Sequence, residues 1–407
     1  NEEKIKKLEL RIKNLVSEED GKGKRAREKE KKKQKRAGKK SKKRTAPQVE
    51  CESILKQPSL SKRQKQDNSE LLNSEPKNSA LASESPPSNA KPALESARTT
   101  PIGDVTILLF YTYVRPPWTR QEQDAVIFFA KKVLAREGCT GRLRVAREGL
   151  NGTLTGSAKG IRAFTKALVE YAPDHFGSTD FKYVDGNGSN KQLKGLKVWP
   201  VTELVTYGFG SQQAPLEGGG THLTPTQFHE AASDPNAVMV DVRNFNETVI
   251  GKFAPKKGAT VLDPEMRRST EFPKWVDDNL SKLQGKKVLM YCTGGIRCER
   301  ASAYLKGRGL DDVNQLEGGI HRYMETFPKD GGHWIGKNYT FDKRFSHGAD
   351  EAEVVSSCVA CDSPWERYQA QKKCKQCRME VIVCRQCQIA KNFKNLLCAL
   401  CKRGKKR

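Results

Sequence analysis

The sequence predicts a three-part α/β protein: a small α+β sandwich, then a parallel-sheet α/β domain, then a compact cysteine-rich module. Three observations carry this. Residues 105–184 read as β-α-β-β-α-β, short apolar runs alternate with helical segments from 224 to 316, and eight of twelve cysteines form four Cys-x-x-Cys pairs after residue 357. The expected parts are residues 1–102 (a disordered basic and Ser/Pro-rich region), 103–210, 221–345 and 358–401.

Charge supports that partition. The 407 residues carry a formal net charge of +26. Residues 1–102 hold 27 basic and 15 acidic side chains, a net of +12, and residues 358–407 hold 13 and 3, a net of +10. Only +4 remains for the centre, so the basicity expected of a nucleic-acid partner belongs to the ends. Ile5, Leu8, Ile12 and Leu15 form a two-heptad stripe, too short to define a coiled coil. Lys22–Arg44 holds 15 basic residues and no apolar period, which predicts a disordered phosphate-binding, nuclear-import or solubilising tail. Residues 45–102, rich in Ser, Pro, Asn and Glu, read as a linker. The chain opens on Asn1 rather than Met, as expected of an incomplete chain. It has no apolar run of about 18 residues, so no transmembrane helix is expected. Cysteine usage suits a reducing compartment, cytoplasm first, with nucleus or organelle as alternatives.

Order is expected from Asp104. Val105–Tyr113, β-branched and aromatic, reads as a strand, and Thr119 caps a helix over Arg120–Arg136 that buries Val126, Phe129, Val133 and Leu134. Arg142–Ala146 and Gly152–Thr155 read as strands, Ala158–Tyr171 as a helix and Thr179–Val184 as a strand. That order predicts a ferredoxin-like or acylphosphatase-like sandwich, with Lys194–Val205 as an extended exit strand.

The glycine-rich stretch Gly208–Gly220 marks the next boundary. Thr224-Pro225 opens a helix, Ala237–Val240 is a buried strand ending at Asp241, and Pro273–Leu283 is a helix. The strand Lys287–Tyr291 then leads into Cys292-Thr293-Gly294-Gly295-Ile296-Arg297, a helix over Glu299–Gly307 and a strand at Val313–Leu316. Alternating strands and helices imply a parallel sheet covered on both faces, whose ligands sit at strand carboxyl ends. Asp241 and Cys292 both occupy such ends and are expected to face one cleft.

A cysteine between a buried strand and a helix N-terminus, followed by glycines, is set up as a reactive thiolate. Loop N–H groups, the helix dipole and Arg297 all favour the anion. The Cys-x4-Arg spacing is one residue shorter than the phosphatase loop. Its tighter ring of donors suits a single anionic sulfur, such as a Cys292 persulfide. Cys298 reads as a first-turn residue facing the core, its thiol aimed away from Cys292, with a resolving role as the alternative.

Tyr291–Glu299 resembles the active-site loop of a rhodanese domain. Asp241-Val242-Arg243-Asn244 with Glu247 resembles that fold's earlier signature, and Leu316-Glu317-Gly318-Gly319-Ile320 its closing one. More narrowly, residues 104–401 are similar to tRNA uridine hydroxylases of the TrhO type. The matching motifs are Arg147-Glu148-Gly149-Leu150-Asn151-Gly152-Thr153, Gly195-Leu196-Lys197-Val198, Glu203-Leu204-Val205 and Phe341-Asp342-Lys343-Arg344. Leu150 stands where isoleucine is frequent, and Val198-Trp199-Pro200 where a basic residue is usual. The resemblance implies oxygen-dependent formation of 5-hydroxyuridine at the tRNA wobble position. Cys292 and Arg297 would be the catalytic positions, Thr293 to Ile296 the loop, and Asp241, Arg243 and Glu247 its support. Molecular oxygen would be the co-substrate. Yet no two-His-one-carboxylate spacing or dinucleotide fingerprint is present, and the six histidines are scattered. His321 is the one placed to approach the cleft.

In the tail, Cys358/Cys361, Cys374/Cys377, Cys384/Cys387 and Cys398/Cys401 supply ligands for two four-cysteine zinc sites, paired consecutively or cross-braced. About 45 residues with few large apolar side chains need that metal to fold. Lys372, Lys373, Lys375, Arg385, Lys391, Lys394 and Lys402–Arg407 make this module a candidate RNA contact, with protein binding as its competitor. The leading expectation is a tRNA-modifying enzyme. The alternatives are a sulfurtransferase carrying a Cys292 persulfide and a non-catalytic RNA- or protein-binding factor.

Overall fold

The computed structural model describes residues 105–209, 213–368, 372–390 and 395–405. The expectations for the stripe, the basic run and the linker lie outside these residues, as do those for Lys391, Lys394, Lys406 and Arg407. Alternation decides the first domain. In β1 (Val105–Tyr113) Leu108 and Phe110 are buried on one face, while Leu109, Tyr111 and Tyr113 occupy the other. α1 (Arg120–Arg136) starts at a capping box of Thr119 and Glu122 and buries Val126, Ala130, Val133 and Leu134. Phe129 is only partly covered and stacks on Tyr171 at 4.2 Å.

β2 (Thr140–Ala146), β3 (Gly149–Ser157), α2 (Ala158–Tyr171), the short α3 (Pro173–Phe176), β4 (Lys182–Asn187) and β5 (Leu196–Pro200) follow. The sheet order is β4-β1-β3-β2-β5, antiparallel until β5 joins β2 in parallel. This is the expected ferredoxin-like sandwich with the exit strand added at its edge. β4 begins three residues later than the pattern suggests, because Asp180 leaves the ladder to pair with Lys182 and Arg322. β5 ends at Pro200, and the Val201 N–H adds one more bond to β2 by donating to the Val145 carbonyl at 2.9 Å. Gly149 holds φ at +139°, and a Cβ there would lie 2.0 Å from the Thr112 carbonyl oxygen. Only glycine lets β3 come this close to β1.

The second domain comprises β6 (Thr221–Leu223), α4 (Pro225–Ala231), β7 (Val238–Asp241), α5 (Phe245–Thr248), β8 (Gly251–Phe253), β9 (Thr260–Leu262), α6 (Phe272–Leu283), β10 (Val288–Tyr291), α7 (Ile296–Gly307), β11 (Val313–Leu316), α8 (Gly319–Thr326) and β12 (Trp334–Gly336). Its parallel sheet runs β6-β11-β10-β7-β9. Val240 and Met290 face α6 and α7, while Met239, Leu289 and Tyr291 face α4 and α8, so both faces are covered. β6 escaped the sequence pattern because it is a three-residue edge strand whose Thr221 and His222 are exposed. α8 was equally illegible, since it starts directly on Gly318 and Gly319, both left-handed.

The hairpin β13 (Asn338–Tyr339) and β14 (Ser346–His347) leads to the cysteine module with α9 (Arg385–Ile389) and α10 (Ala399–Lys402). Residues 105–405 belong to one compact unit. Tyr111 Oη donates to Glu299 at 2.9 Å and Tyr113 Oη to the Ile296 carbonyl at 3.3 Å. Glu148 accepts from the Leu204 N–H at 2.7 Å and from Arg300 at 2.6 Å, which gives the Arg147–Thr153 motif a joining role. No helix among the described residues is long and apolar enough to cross a membrane.

Gly149→Ala should therefore cost more than about 1 kcal/mol of stability. Gly186→Ala, at φ +74° with nothing within 4 Å of its Cβ, should cost clearly less. Urea midpoints of the two variants compare them directly, and equal losses would contradict the close approach of β1 and β3.

Candidate active site

β10 delivers Cys292 to the carboxyl end of the central strand, beside the end of β7. Gly295, at φ +101°, turns the chain straight into α7, so the helix begins three residues earlier than its sequence pattern indicates. Arg297 and Cys298 thus belong to the first helical turn. The Gly295 N–H donates to Cys292 Sγ at 3.1 Å. The closing motif clamps the loop from behind: the Ile320 and His321 N–H groups donate to the Cys292 and Thr293 carbonyls at 3.0 and 3.1 Å. A Cβ on Gly319 would meet the Cys292 carbonyl oxygen at 2.6 Å.

Cys292 is fully buried. Burial alone pushes a thiol up. Here the Cys298 thiol, the Arg297 guanidinium and the N–H groups of Arg297 and Gly294 outweigh it and bring Cys292 down to about 5. Cys298 moves the other way, well above the ordinary thiol value, through its own burial and the neighbouring thiolate. This corrects the sequence expectation. Cys298 does face the core, but its protonated thiol supports the anion rather than pointing away from it.

Arg297 is committed to Glu247 through two bonds of 2.6 and 2.8 Å and reaches Thr293 Oγ1 at 3.0 Å. Thr293 in turn donates to Glu247 at 3.2 Å. Burial would raise the Glu247 carboxyl, but Arg297 holds it below its usual value. The guanidinium therefore fixes the loop and biases the thiol without presenting a free fork to a ligand. Asp241 and Arg243 stand further back. Their carboxylate and guanidinium form a fully buried bidentate pair of 2.9 and 2.7 Å, and Arg243 also donates to the Gly251 carbonyl. Asp241 shares the sheet end with Cys292 as expected, but its carboxylate turns to Arg243 instead of facing a cleft.

The cleft is formed between the domains. A cavity of about 570 Å³ lies between the loop residues Thr293, Gly294, Ile296 and Arg297 and the helix-free face of the first sheet. Ladder pairing puts Leu109, Thr153 and Arg142 in one row and Tyr111, Asn151 and Arg144 in the next, all on that face. Lys182, Arg267, Arg268 and Phe341 also line it. The space is that of a small-molecule site, roughly 300–1,000 Å³, with a cationic rim.

Comparisons with known proteins agree with this construction. Residues 105–202 match the UPF0176 acylphosphatase like domain, residues 224–326 the Rhodanese-like domain and residues 335–402 the Rhodanase C-terminal family. A Brucella anthropi protein named tRNA uridine(34) hydroxylase is 39% identical over 235 residues, 57% of this chain and 73% of that protein. Its Brucella ovis counterpart is 40% identical over 229 residues, 56% of this chain and 72% of that one. The chain belongs to the tRNA uridine(34) hydroxylase family. An Arabidopsis thaliana relative, Rhodanese-like domain-containing protein 6, is 36% identical over 315 residues. They are 73% of this chain, which spans about half (52%) of that protein's length.

In this hydroxylase-family chain the tail cysteines interleave. Cys358, Cys361, Cys384 and Cys387 form one group and Cys374, Cys377, Cys398 and Cys401 the other, each with all sulfurs within 4.8 Å. The order is cross-braced, and these cysteines are free thiols rather than disulfides. The Cys361–Cys384 and Cys377–Cys398 sulfurs stand 3.7 Å apart. A tetrahedral zinc with bonds of about 2.3 Å requires roughly 3.8 Å between sulfurs, so the donor set fits that ion. N–H groups of Cys384 and Cys387 donate to sulfur at 3.3 and 3.4 Å. Several tail cations are occupied within the protein: Lys375 bonds Asn395, and Arg403 and Lys405 bond Glu265.

Sequence reasoning missed Tyr111, Arg142, Arg144, Lys182, Arg268 and Phe341. The strict alternation of Arg142 and Arg144 with Leu143 and Val145 was the available signal. His321 does reach the loop, but through its backbone N–H, and its ring sits 3.4 Å from Glu325. Thiolate absorbance should titrate near pH 5 in the intact protein, and that step should be absent from Cys292→Ser. Because the folded thiol titrates below the unfolded one, Cys292 stabilises the fold fully above the unfolded thiol pKa. That contribution falls away as pH drops toward 5. A titration near the ordinary thiol value would contradict the loop's role as an anion holder.

Proposed function

We propose that this protein hydroxylates carbon 5 of the wobble uridine of tRNA. One observation carries the reading: an arginine-bearing sheet face closes over the Cys292 loop and leaves a base-sized cavity. The bacterial relatives named tRNA uridine(34) hydroxylases are 39–40% identical over more than half of this chain. A sulfurtransferase passing sulfur to a small acceptor needs only the second domain. An unstacked anticodon nucleotide needs the added wall. Arg142, Arg144 and Arg268 would take backbone phosphates, and Phe341, half exposed at the cavity, would offer a face for stacking. The Cys292 thiolate is the nucleophile of the site, and the loop N–H groups hold its charge. Hydroxylation replaces C–H by C–OH. With molecular oxygen as co-substrate, the second oxygen atom leaves as water and two electrons come from a reductant.

Each four-cysteine group would hold one zinc, and four thiolates leave no open position, so these ions are structural. The substrate class points to action in the cytoplasm.

Nucleoside mass spectrometry tests the activity. Cells lacking the gene should lose 5-hydroxyuridine from tRNA, the intact gene should restore it, and a Cys292→Ser copy should not. Unchanged nucleosides, together with thiosulfate-to-cyanide sulfur transfer by the purified protein, would favour the sulfurtransferase instead. Metal analysis of the purified chain should give about two zinc ions, and stripping them should unfold the module around α9 and α10. Intact folding with neither cluster loaded would refute the structural role.

A further inference from the structure

Lys182 is a charged side chain where charge is costly. Only 2% of its surface is exposed, yet it lines the cavity. It opens β4 opposite Leu109, on the face shared with Tyr111. Its Nζ donates to Asp180 Oδ2 at 2.5 Å and lies 5.8 Å from the centre of the Tyr111 ring. Asp180 is its only hydrogen-bond partner among the described residues. The other Asp180 oxygen accepts from Arg322 of the second domain at 2.5 Å, and Arg322 is held in turn by Glu325. The carboxylate is therefore fixed from both domains and aims the lysine.

An ammonium carries three donors and no acceptor, and burial makes unused donors unfavourable. One donor is spent on Asp180. The others adjoin a cavity that, on the reading above, receives a pyrimidine beside Cys292. Uracil presents a carbonyl oxygen at position 4 where cytosine presents an amino group, a donor. A donor-only side chain accepts the first and leaves the second facing an unpaired N–H. We propose that Lys182 hydrogen-bonds the 4-carbonyl oxygen of the flipped base and so selects uridine over cytidine, an inference that rests on the tRNA-uridine reading. Burial lowers the ammonium's pKa, and the Asp180 carboxylate opposes that shift.

The test uses the full chain and anticodon stem-loop RNAs differing only in uridine or cytidine at position 34. Binding is measured in the Cys292→Ser background, where turnover is blocked, and kcat and KM in the otherwise native protein. The native site should prefer uridine. Lys182→Met should weaken uridine binding on the order of 10–100-fold and erase the preference, with cytidine binding little changed. Lys182→Gln, whose amide also accepts, should raise relative cytidine binding. If the Met variant does not fold, the Gln variant decides. A preserved preference, or equal loss for both RNAs, overturns the inference and indicates a purely structural ion pair. Native protein that hydroxylates no tRNA defeats the functional reading itself, a separate result.

Discussion

A sulfur anion with no exposed surface has to be compensated by the protein alone, and that requirement organises everything around Cys292. Water contributes nothing at such a site. The compensation comes from N–H groups that Gly295 turns inward, from the protonated Cys298 and from the Arg297 guanidinium. Arg297 would itself be an uncompensated buried cation without Glu247. Glu247 is held by the Asn244 N–H at the start of α5, so the chain of compensation runs from the thiolate into the neighbouring strand-to-helix turn. Asp241 and Arg243, buried just before that turn, brace it in the same way.

The first domain meets this site through the spare face of a two-sided sheet. One face is occupied by α1 and α2, and the other, which mixes Tyr111 and Tyr113 with Arg142, Arg144 and Lys182, would otherwise be left in water. Tyr111 and Tyr113 resolve this by directing their hydroxyls at the first turn of α7. The Tyr111 ring closes the space above the loop, and both hydroxyl oxygens give a length-defined contact. The same alternation that places leucines inside the sandwich places arginines toward the cavity. Core formation and site formation are two readings of one strand period.

Much of this was legible in the sequence. Strands and helices with strong periods, such as Val105–Tyr113, Arg120–Arg136 and Ala158–Tyr171, coincide with their patterns. The Cys292 loop declared itself because its two glycines and arginine serve no packing purpose. What stayed hidden depends on contacts between distant segments. Lys182 carries no local signature, and the motif that begins at Phe341 does not say what its ring faces; both become cavity residues only when two domains meet. The pairing of the four cysteine knuckles was likewise open, since spacing defines ligands but not which loops cross. Cys298 was misjudged because its direction depends on where α7 begins, and Gly295 brings that start three residues forward.

Arg267 ties the cavity to the cysteine module. It lines the cavity, and its guanidinium donates to the Lys405 carbonyl at 2.6 Å and approaches Cys401 Sγ at 3.8 Å. One wall of the cavity is thus held in place by the cysteine module. Oxidative attack on those thiols, which would also abolish any metal binding by them, would deform this cavity wall while leaving the thiolate and its donors intact. The cavity wall would then fail before the thiolate does, because the thiolate's donors lie in the Cys292 loop and not in the cysteine module.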